Sequence, residues 1–179
     1  MIKKVLWFIF VLLFISCDYF KKSNNNISTY RIAKLNSNSL DKILFTWETP
    51  DLWIKNTPSQ MRLASFSIPY SNGNADLSIS QLNGDGGGVV QNVNRWRRQL
   101  KLPALDLNQI QSSSIIEKSK IGKYSIYEII NSQDSSKAFL ATIMPLKNQT
   151  IFVKLNSTIN GIKEIRHDFI NFCSSFSPK

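Results

Sequence analysis

Apolar and polar residues alternate in several short stretches, a pattern that predicts a chain built mainly of β-strands. Apolar side chains alternate with serines in residues 61–69, and residues 76–82 repeat the alternation. A period of two residues is typical of a strand that buries one face. Residues 71–74, Ser-Asn-Gly-Asn, supply turn residues between the two stretches. We therefore predict that the two stretches form a β-hairpin.

Five further apolar stretches complete the set of predicted strands. They are residues 42–47, 114–121, 124–130, 138–145 and 150–155. The last four are joined by short polar links, whereas a crossover between parallel strands needs about a dozen residues or more. We therefore expect neighbouring strands to pair in the antiparallel direction.

Two stretches have the spacing of an amphipathic helix. Val89, Val93 and Trp96 fall on one stripe of a predicted helix over residues 89–100, and a second stripe of Ile, Phe and Cys side chains predicts a closing helix over residues 162–176. The predicted order is three strands, a helix, four strands and a helix. This order predicts an α+β fold, in which helices cover an antiparallel β-sheet of about six to seven strands.

The N-terminal segment has the features of a secretory signal. Lys3 and Lys4 precede an uninterrupted apolar run at residues 5–15, which is shorter than the roughly 20 residues that a membrane-spanning helix needs. Ser16-Cys17 follows this run. The segment resembles the lipobox of bacterial lipoproteins, and the resemblance implies that Cys17 is the site of lipidation. The alternative is a structural cysteine beside an ordinary cleavage site.

These features divide the chain into three predicted parts. Residues 1–16 are the lipoprotein signal peptide, residues 17–39 the lipidated N-terminus with a flexible tether, and residues 40–179 a single α+β sandwich domain. The acyl chains of such an anchor contribute about 0.8 kcal/mol per buried CH₂ to membrane binding. The predicted location is the bacterial cell envelope, with the protein anchored to a membrane and facing the periplasm or the exterior.

Four segments of the predicted domain carry a family resemblance. They are residues 47–53 (WETPDLW), residues 61–66 (MRLASF), glycines 86–88 and residues 92–99 (NVNRWRRQ). Together they resemble a group of uncharacterised bacterial lipoproteins, which are similar to the PsbP-like and DcrB-like α/β/α sandwich fold. The resemblance implies this sandwich for most of residues 40–176. It implies no catalytic residues.

The charge of the chain points to anionic partners. The sequence contains 22 basic and 12 acidic residues, and without residues 1–16 a net charge of +8 remains. Such a surface favours an anionic lipid, a cell-wall component or an acidic envelope protein, although excess charge also keeps proteins soluble. The predicted export argues against nucleic acid as a partner. The membrane itself is the partner of the lipid anchor.

Few side chains of the kinds used in catalysis or metal binding are present. One His and two Cys exclude multi-His zinc sites and four-Cys clusters. His167 falls off the apolar stripe of the closing helix and is expected to face solvent, whereas Cys173 falls on the stripe and is expected to be buried and inert. We therefore predict no enzyme activity, no metal and no cofactor, although a Ser–Lys arrangement of a hydrolase stays open.

The segment that leads into the first predicted helix is the predicted interaction surface. Its residues are Gly86, Gly87, Gly88, Asn94, Arg95 and Arg98. Glycines before a helix leave backbone N–H groups exposed, and such groups bind anions. The two arginines belong to the densest cluster of basic residues in the chain. No acidic residue occurs between Asp85 and Asp106 to offset their charge. The alternatives are a tight turn stabilised by Asp85 and a solvated helix face.

Trp47, Trp53 and Trp96 form a second candidate site. Aromatic rings stack on sugars and peptides, so the three side chains are candidates to line a ligand groove. The alternative is that they anchor the core. Together, these observations predict a membrane-anchored, non-enzymatic binding or accessory module of the cell envelope. A small-ligand carrier, with a pocket between sheet and helix, is the alternative function.

The lipid anchor can be tested by mass. Protein isolated from its native membrane is expected to begin at Cys17, to carry acyl chains and to partition into detergent. Cys17→Ser removes the thiol to which diacylglycerol attaches, so this variant is expected to carry no acyl mass and to leave the detergent phase. An unmodified or cytosolic wild-type chain would contradict the signal interpretation.

Overall fold

The computed structural model describes residues 45–59 and 61–179. The predicted signal peptide, Cys17 and the tether lie outside the described residues, as do residues 42–44 of the first predicted strand. Within the described ranges the chain forms nine strands and three helices. None of these three helices is long and apolar enough to cross a membrane. In chain order they are β1 (Phe45–Thr46), β2 (Ile54–Asn56), β3 (Ala64–Tyr70), β4 (Gly73–Asn83), α1 (Val89–Gln99), α2 (Leu107–Ser112), β5 (Ile115–Ser119), β6 (Gly122–Ile130), β7 (Ala138–Pro145), β8 (Gln149–Ser157), α3 (Ile159–Ser174) and β9 (Ser177–Pro178).

Seven strands form one antiparallel sheet in the order β2-β3-β4-β8-β7-β6-β5, while β1 pairs with β9. β3 and β4 form the predicted hairpin, which closes where Tyr70 pairs with Gly73. The chain leaves the sheet after β4 through α1 and α2, returns at the far edge as β5, and works inwards until β8 pairs with β4. The predicted α+β fold, with an antiparallel sheet covered by helices, is confirmed.

One face of the sheet is covered by α3. The hydroxyl of Thr158 accepts a hydrogen bond from the N–H of Gly161 at 3.0 Å and so caps the start of this helix. Phe169 and Phe172 of α3 are buried in the core on this side. Cys173 lies on the same stripe, as predicted, and burial raises the pKa of its thiol. An uncharged, buried thiol of this kind is an inert core residue.

The opposite face is covered by α1 and α2. Val93 and Trp96 of α1 pack against Phe139 of β7 and Phe152 of β8, and Ile110 of α2 belongs to the same core. The ring centroids of Trp96 and Phe152 lie 6.3 Å apart, in an edge-to-face arrangement. The apolar stripe that predicts α1 from the sequence is therefore the buried face of this helix.

The predicted ligand groove lined by all three tryptophans is not formed. Trp47 and Trp53 lie on the α3 side of the sheet, where both rings contact Phe172. Trp96 lies on the α1 side, packed on Phe152. The sheet separates the two groups, because successive residues of a strand point to opposite faces and each face packs against its own helix. All three side chains serve the core instead.

Three short elements have no counterpart in the predicted order: β2, α2 and β9. All three residues of β2 are exposed, so this strand has no alternation to detect. α2 has six residues, too few for an apolar stripe, but it begins with a capping box. Asp106 accepts the backbone N–H of Gln109, and the side chain of Gln109 accepts the N–H of Asp106.

Candidate functional site

The glycine-rich loop between β4 and α1 borders an open depression, which we name the α1 groove. It is lined by Gly86, Gly87, Asn92, Asn94, Arg95 and Arg98, together with Val90, Gln91 and Ala104. Its volume is about 510 Å³, within the roughly 300–1,000 Å³ of small-molecule sites. Five of the six residues of the predicted interaction surface line this groove, and the sixth, Gly88, is the N-cap of α1.

The path of the loop depends on a contact between Gly86 and the ring of Phe152. Gly86 has a φ of +62°, and a Cβ atom at this position would lie 2.6 Å from two carbons of the ring. Only glycine combines this backbone conformation with so close an approach. The loop is also held where the hydroxyl of Thr150 donates to the carbonyl of Gly84 at 2.8 Å. β8 therefore supports the floor of the α1 groove.

Asp85 stabilises the turn before α1. Its carboxylate accepts the backbone N–H of Gly87 at 2.9 Å, and its carbonyl accepts the N–H of Gly88 at 3.2 Å. The loop is therefore the tight turn that the sequence left open as an alternative. Because this carboxylate already occupies a backbone donor of the loop, we expect an anion to bind at the arginines and not at the start of the helix.

Asn92 is buried and joins the loop to the arginines. Its side-chain N–H groups donate to the carbonyls of Gly86 and Gly88 at 3.0 and 2.7 Å, and its amide oxygen accepts a hydrogen bond from Arg95 at 2.5 Å. Asn92 is 2% exposed, so these bonds replace the water that it loses on burial. The predicted interaction surface did not include it; the available signal was an Asn four residues after Gly88 and three before Arg95.

Asn94 has a structural role. Its side chain donates to the carbonyl of Leu105 at 2.9 Å and accepts the N–H of Leu105 at 2.8 Å. The guanidinium of Arg97 similarly donates to the carbonyl of Pro103 at 2.8 Å. These bonds fix the segment that follows α1 against the helix. Asn94 therefore shapes the rim of the groove, and its amide groups are already occupied.

The α1 groove is positively charged because its lining contains two arginines and no acidic residue. Arg95 and Arg98 are exposed. In the described part of the chain, ion pairs within 4.0 Å occur at Arg62–Asp76 and Arg166–Glu128 and involve neither groove arginine. Both guanidinium groups are therefore available to an anionic ligand, and Arg95 is additionally oriented by Asn92.

The remaining candidates for chemistry are isolated. His167 is exposed on α3, as predicted, and its Nε2 atom lies 3.1 Å from the side-chain nitrogen of Asn171. Cys173, on the same helix, is buried in the core. Among residues 45–59 and 61–179, no group of three His, Cys, Asp or Glu side chains has the arrangement of a metal site.

We expect Asn92→Ala to destabilise the protein by about 2 kcal/mol, because two partly buried carbonyls of the loop each lose a side-chain donor. Asn92→Asp should cost at least as much, since it places a carboxylate against the same carbonyls. Urea denaturation measures both effects. Gln91→Ala, an exposed neighbour on α1, is the control and should change stability by less than about 0.5 kcal/mol. A similarly small change in Asn92→Ala would contradict this role.

Substitution of two glycines with the same φ distinguishes the cost of backbone strain from the cost of a steric contact. Gly84 and Gly86 both have a φ of +62°, but a Cβ at Gly84 would meet no atom within 4 Å. Gly84→Ala should therefore cost about 1 kcal/mol, the price of the left-handed conformation. Gly86→Ala should cost about 1–3 kcal/mol more, because the methyl group must displace Phe152. Equal losses of stability in urea denaturation would contradict the contact with the ring.

No protein-family model and no curated protein sequence matches the chain. Among solved structures, it is similar to a protein from Bacteroides thetaiotaomicron VPI-5482, with 13% identity and a TM-score of 0.45 over 76% of this chain and 45% of the other. It is also similar to cyanobacterial PsbP (CyanoP) from Synechocystis sp. PCC 6803, with 15% identity and a TM-score of 0.46 over 76% of this chain and 87% of the other. A PsbP structure is thus among the proteins that this chain resembles, as predicted from the sequence, and the likeness concerns the fold alone.

Proposed function

We propose that this chain is a lipid-anchored, non-enzymatic binding module of the bacterial cell envelope, which holds an anionic envelope component in the α1 groove. The observation that carries the proposal is the pair of exposed guanidinium groups of Arg95 and Arg98, which line one groove and have no ion-pair partner among the described residues. Arginine presents several donors in a fixed plane and suits the paired oxygens of phosphate and carboxylate groups.

The shape of the groove supports binding of a defined group in preference to diffuse charge attraction. Arg95 is held by Asn92, which is itself bonded to the loop carbonyls. A ligand therefore meets a guanidinium whose position is largely set before binding, which lowers the entropic cost of ordering it. The rim is fixed in a similar way by the paired bonds between Asn94 and Leu105.

The envelope location is supported by the sequence. Lys3, Lys4, the apolar run at residues 5–15 and Cys17 have the order of a lipoprotein signal. A lipid anchor would hold the basic domain close to anionic headgroups, cell-wall polymers and other envelope proteins. Its effective concentration near such partners would then be high, so a modest affinity of the α1 groove would suffice.

A binding role is supported over catalysis by the isolation of the reactive side chains. A nucleophile needs a base within hydrogen-bond reach and a third group to orient that base. His167 is exposed beside Asn171, and Cys173 is buried with a raised thiol pKa. The carrier function is not favoured, because the space between α1 and the sheet is occupied by side chains such as Trp96 and Phe152.

Removal of both groove arginines tests the proposal. Arg95→Ala/Arg98→Ala should weaken binding by about tenfold or more, the effect of losing about 1.4 kcal/mol of charge-assisted contacts. The measurement uses three separate probes: phosphatidylglycerol vesicles against phosphatidylcholine vesicles, purified anionic cell-wall polymer, and photocrosslinking in the native membrane from a reactive side chain at Gln91. The probe that responds identifies the class of partner.

The matched control is Lys118→Ala/Lys123→Ala. These lysines are exposed and pair with each other across β5 and β6, and neither lines the α1 groove. The variant therefore loses the same net charge as the arginine variant without changing the groove. It should bind within about twofold of wild type. If both double variants bind equally well to all three probes while thermal stability is unchanged, the α1 groove is not the binding surface.

A further inference from the structure

A second depression lies on the same face of the sheet, beyond the C-terminal end of α1. Gln99, the last residue of this helix, forms one wall, and side chains of β4, β7 and β8 form the floor. Its volume is about 150 Å³, which corresponds to about five water molecules at roughly 30 Å³ each. The depression is therefore large enough for a small polyatomic ion. We name it the Lys154 pocket, after the lysine of β8 that lines it.

Lys154 is a half-buried cation held between an aromatic ring and an amide. Its Nζ atom lies 3.6 Å from the centroid of the Phe139 ring and donates to the side-chain oxygen of Gln99 at 2.8 Å. Burial lowers the pKa of Lys154 to about 8, with smaller contributions from the positive charges of Lys137 and Arg95. The ammonium group is thus fixed in place in surroundings that disfavour its charge.

The charges around Lys154 leave the pocket positive. Arg62 and Asp76 form a two-point ion pair, with both N–O distances at 3.0 Å, and largely neutralise each other. Lys137 is also part of the wall, and its Nζ atom lies 5.5 Å from the centroid of the Phe139 ring. Neither lysine has a carboxylate within 4.0 Å among the described residues. Two cations therefore face one small space without a counterion from the chain.

We propose that the Lys154 pocket binds a small oxyanion, a phosphate or carboxylate group, between the ammonium groups of Lys154 and Lys137. The side chain of Asn156 also lines the pocket and carries an amide group that can donate a hydrogen bond. The one carboxylate of the wall, Asp76, is paired with Arg62, which largely neutralises its charge towards a ligand. An anion in this position supplies the counter-charge that Lys154 lacks. This site is separate from the α1 groove and does not depend on the function proposed for it.

Protonation of Lys154 makes the affinity dependent on pH. The charged groups that influence this lysine are Arg62 before β3, Asp76 on β4, Arg95 on α1 and Lys137 before β7. Below a pH of about 8 the amine of Lys154 is mainly protonated and attracts the anion. As the pH rises through this value the amine loses its charge, so the affinity for the anion falls.

The test is an NMR titration of the full-length protein in detergent micelles with sodium phosphate and, separately, sodium acetate, at constant ionic strength. Addition of either anion at pH 7 should shift the amide signals around Lys154 and Gln99. Lys154→Met should weaken binding by about tenfold or more, and Lys137→Met by several-fold. Lys118→Ala/Lys123→Ala, which removes two exposed lysines elsewhere, should bind within about twofold of wild type. A response to phosphate alone or to acetate alone identifies the preferred group.

The pH dependence of anion binding distinguishes an effect of the positive charge of Lys154 from a purely structural effect of the Lys154→Met substitution. Between pH 7 and pH 9 the affinity of wild type relative to Lys154→Met should fall by about tenfold, the change in the protonated fraction of a group with a pKa of about 8. A ratio that does not change would overturn the proposal. So would binding of neither anion, equal affinity in Lys154→Met and wild type, or signal shifts confined to the α1 groove.

Discussion

β8 lies between β4 and β7 in the middle of the sheet, and its two faces pack against different helices. Ile151, Val153 and Leu155 are buried on the α3 side. The alternate positions Phe152 and Lys154 point to the α1 side. Because both faces of β8 are packed, the strand can pair with its neighbours in one register only. A shift by one residue would place Lys154 in the core on the α3 side. The register of β8 therefore fixes the positions of both candidate sites: Phe152 supports the glycine loop, and two residues further on Lys154 forms the second pocket.

The larger elements could be predicted because each carries its own pattern. β7 occupies residues 138–145 in the prediction and in the structure, and α1 agrees to within one residue. The short elements escaped detection for physical reasons. β2 exposes all its residues, since it is an edge strand held mainly by backbone pairing with β3. α2 has too few residues for an apolar period, although the capping box from Asp106 to Gln109 marks its start.

The candidate site, too, could be predicted from the sequence only in part. Charge can be read from a sequence, so Arg95 and Arg98 could be predicted as a basic surface. The role of Asn92 could not, because it depends on where the loop carbonyls lie after folding. The tryptophans illustrate a second limit. A periodic pattern shows that Trp96 belongs to the buried stripe of its helix, but it does not say which face of a sheet that helix covers, and Trp96 lies across the sheet from Trp53.

The pairing of β4 with β8 also has a consequence for how the chain reaches its native state. Asp76 pairs with Asn156, eighty residues further along the chain. Contacts between residues so far apart require a large loop to close before they contribute any stabilisation, and proteins rich in them fold slowly. The hairpin of β3 and β4 can form locally, and so can the meander from β5 to β8. In each of these parts one strand, β4 or β8, has an unpaired edge until the two strands pair with each other. We therefore expect the sheet to close late in folding, and neither half to be a stable domain when expressed alone.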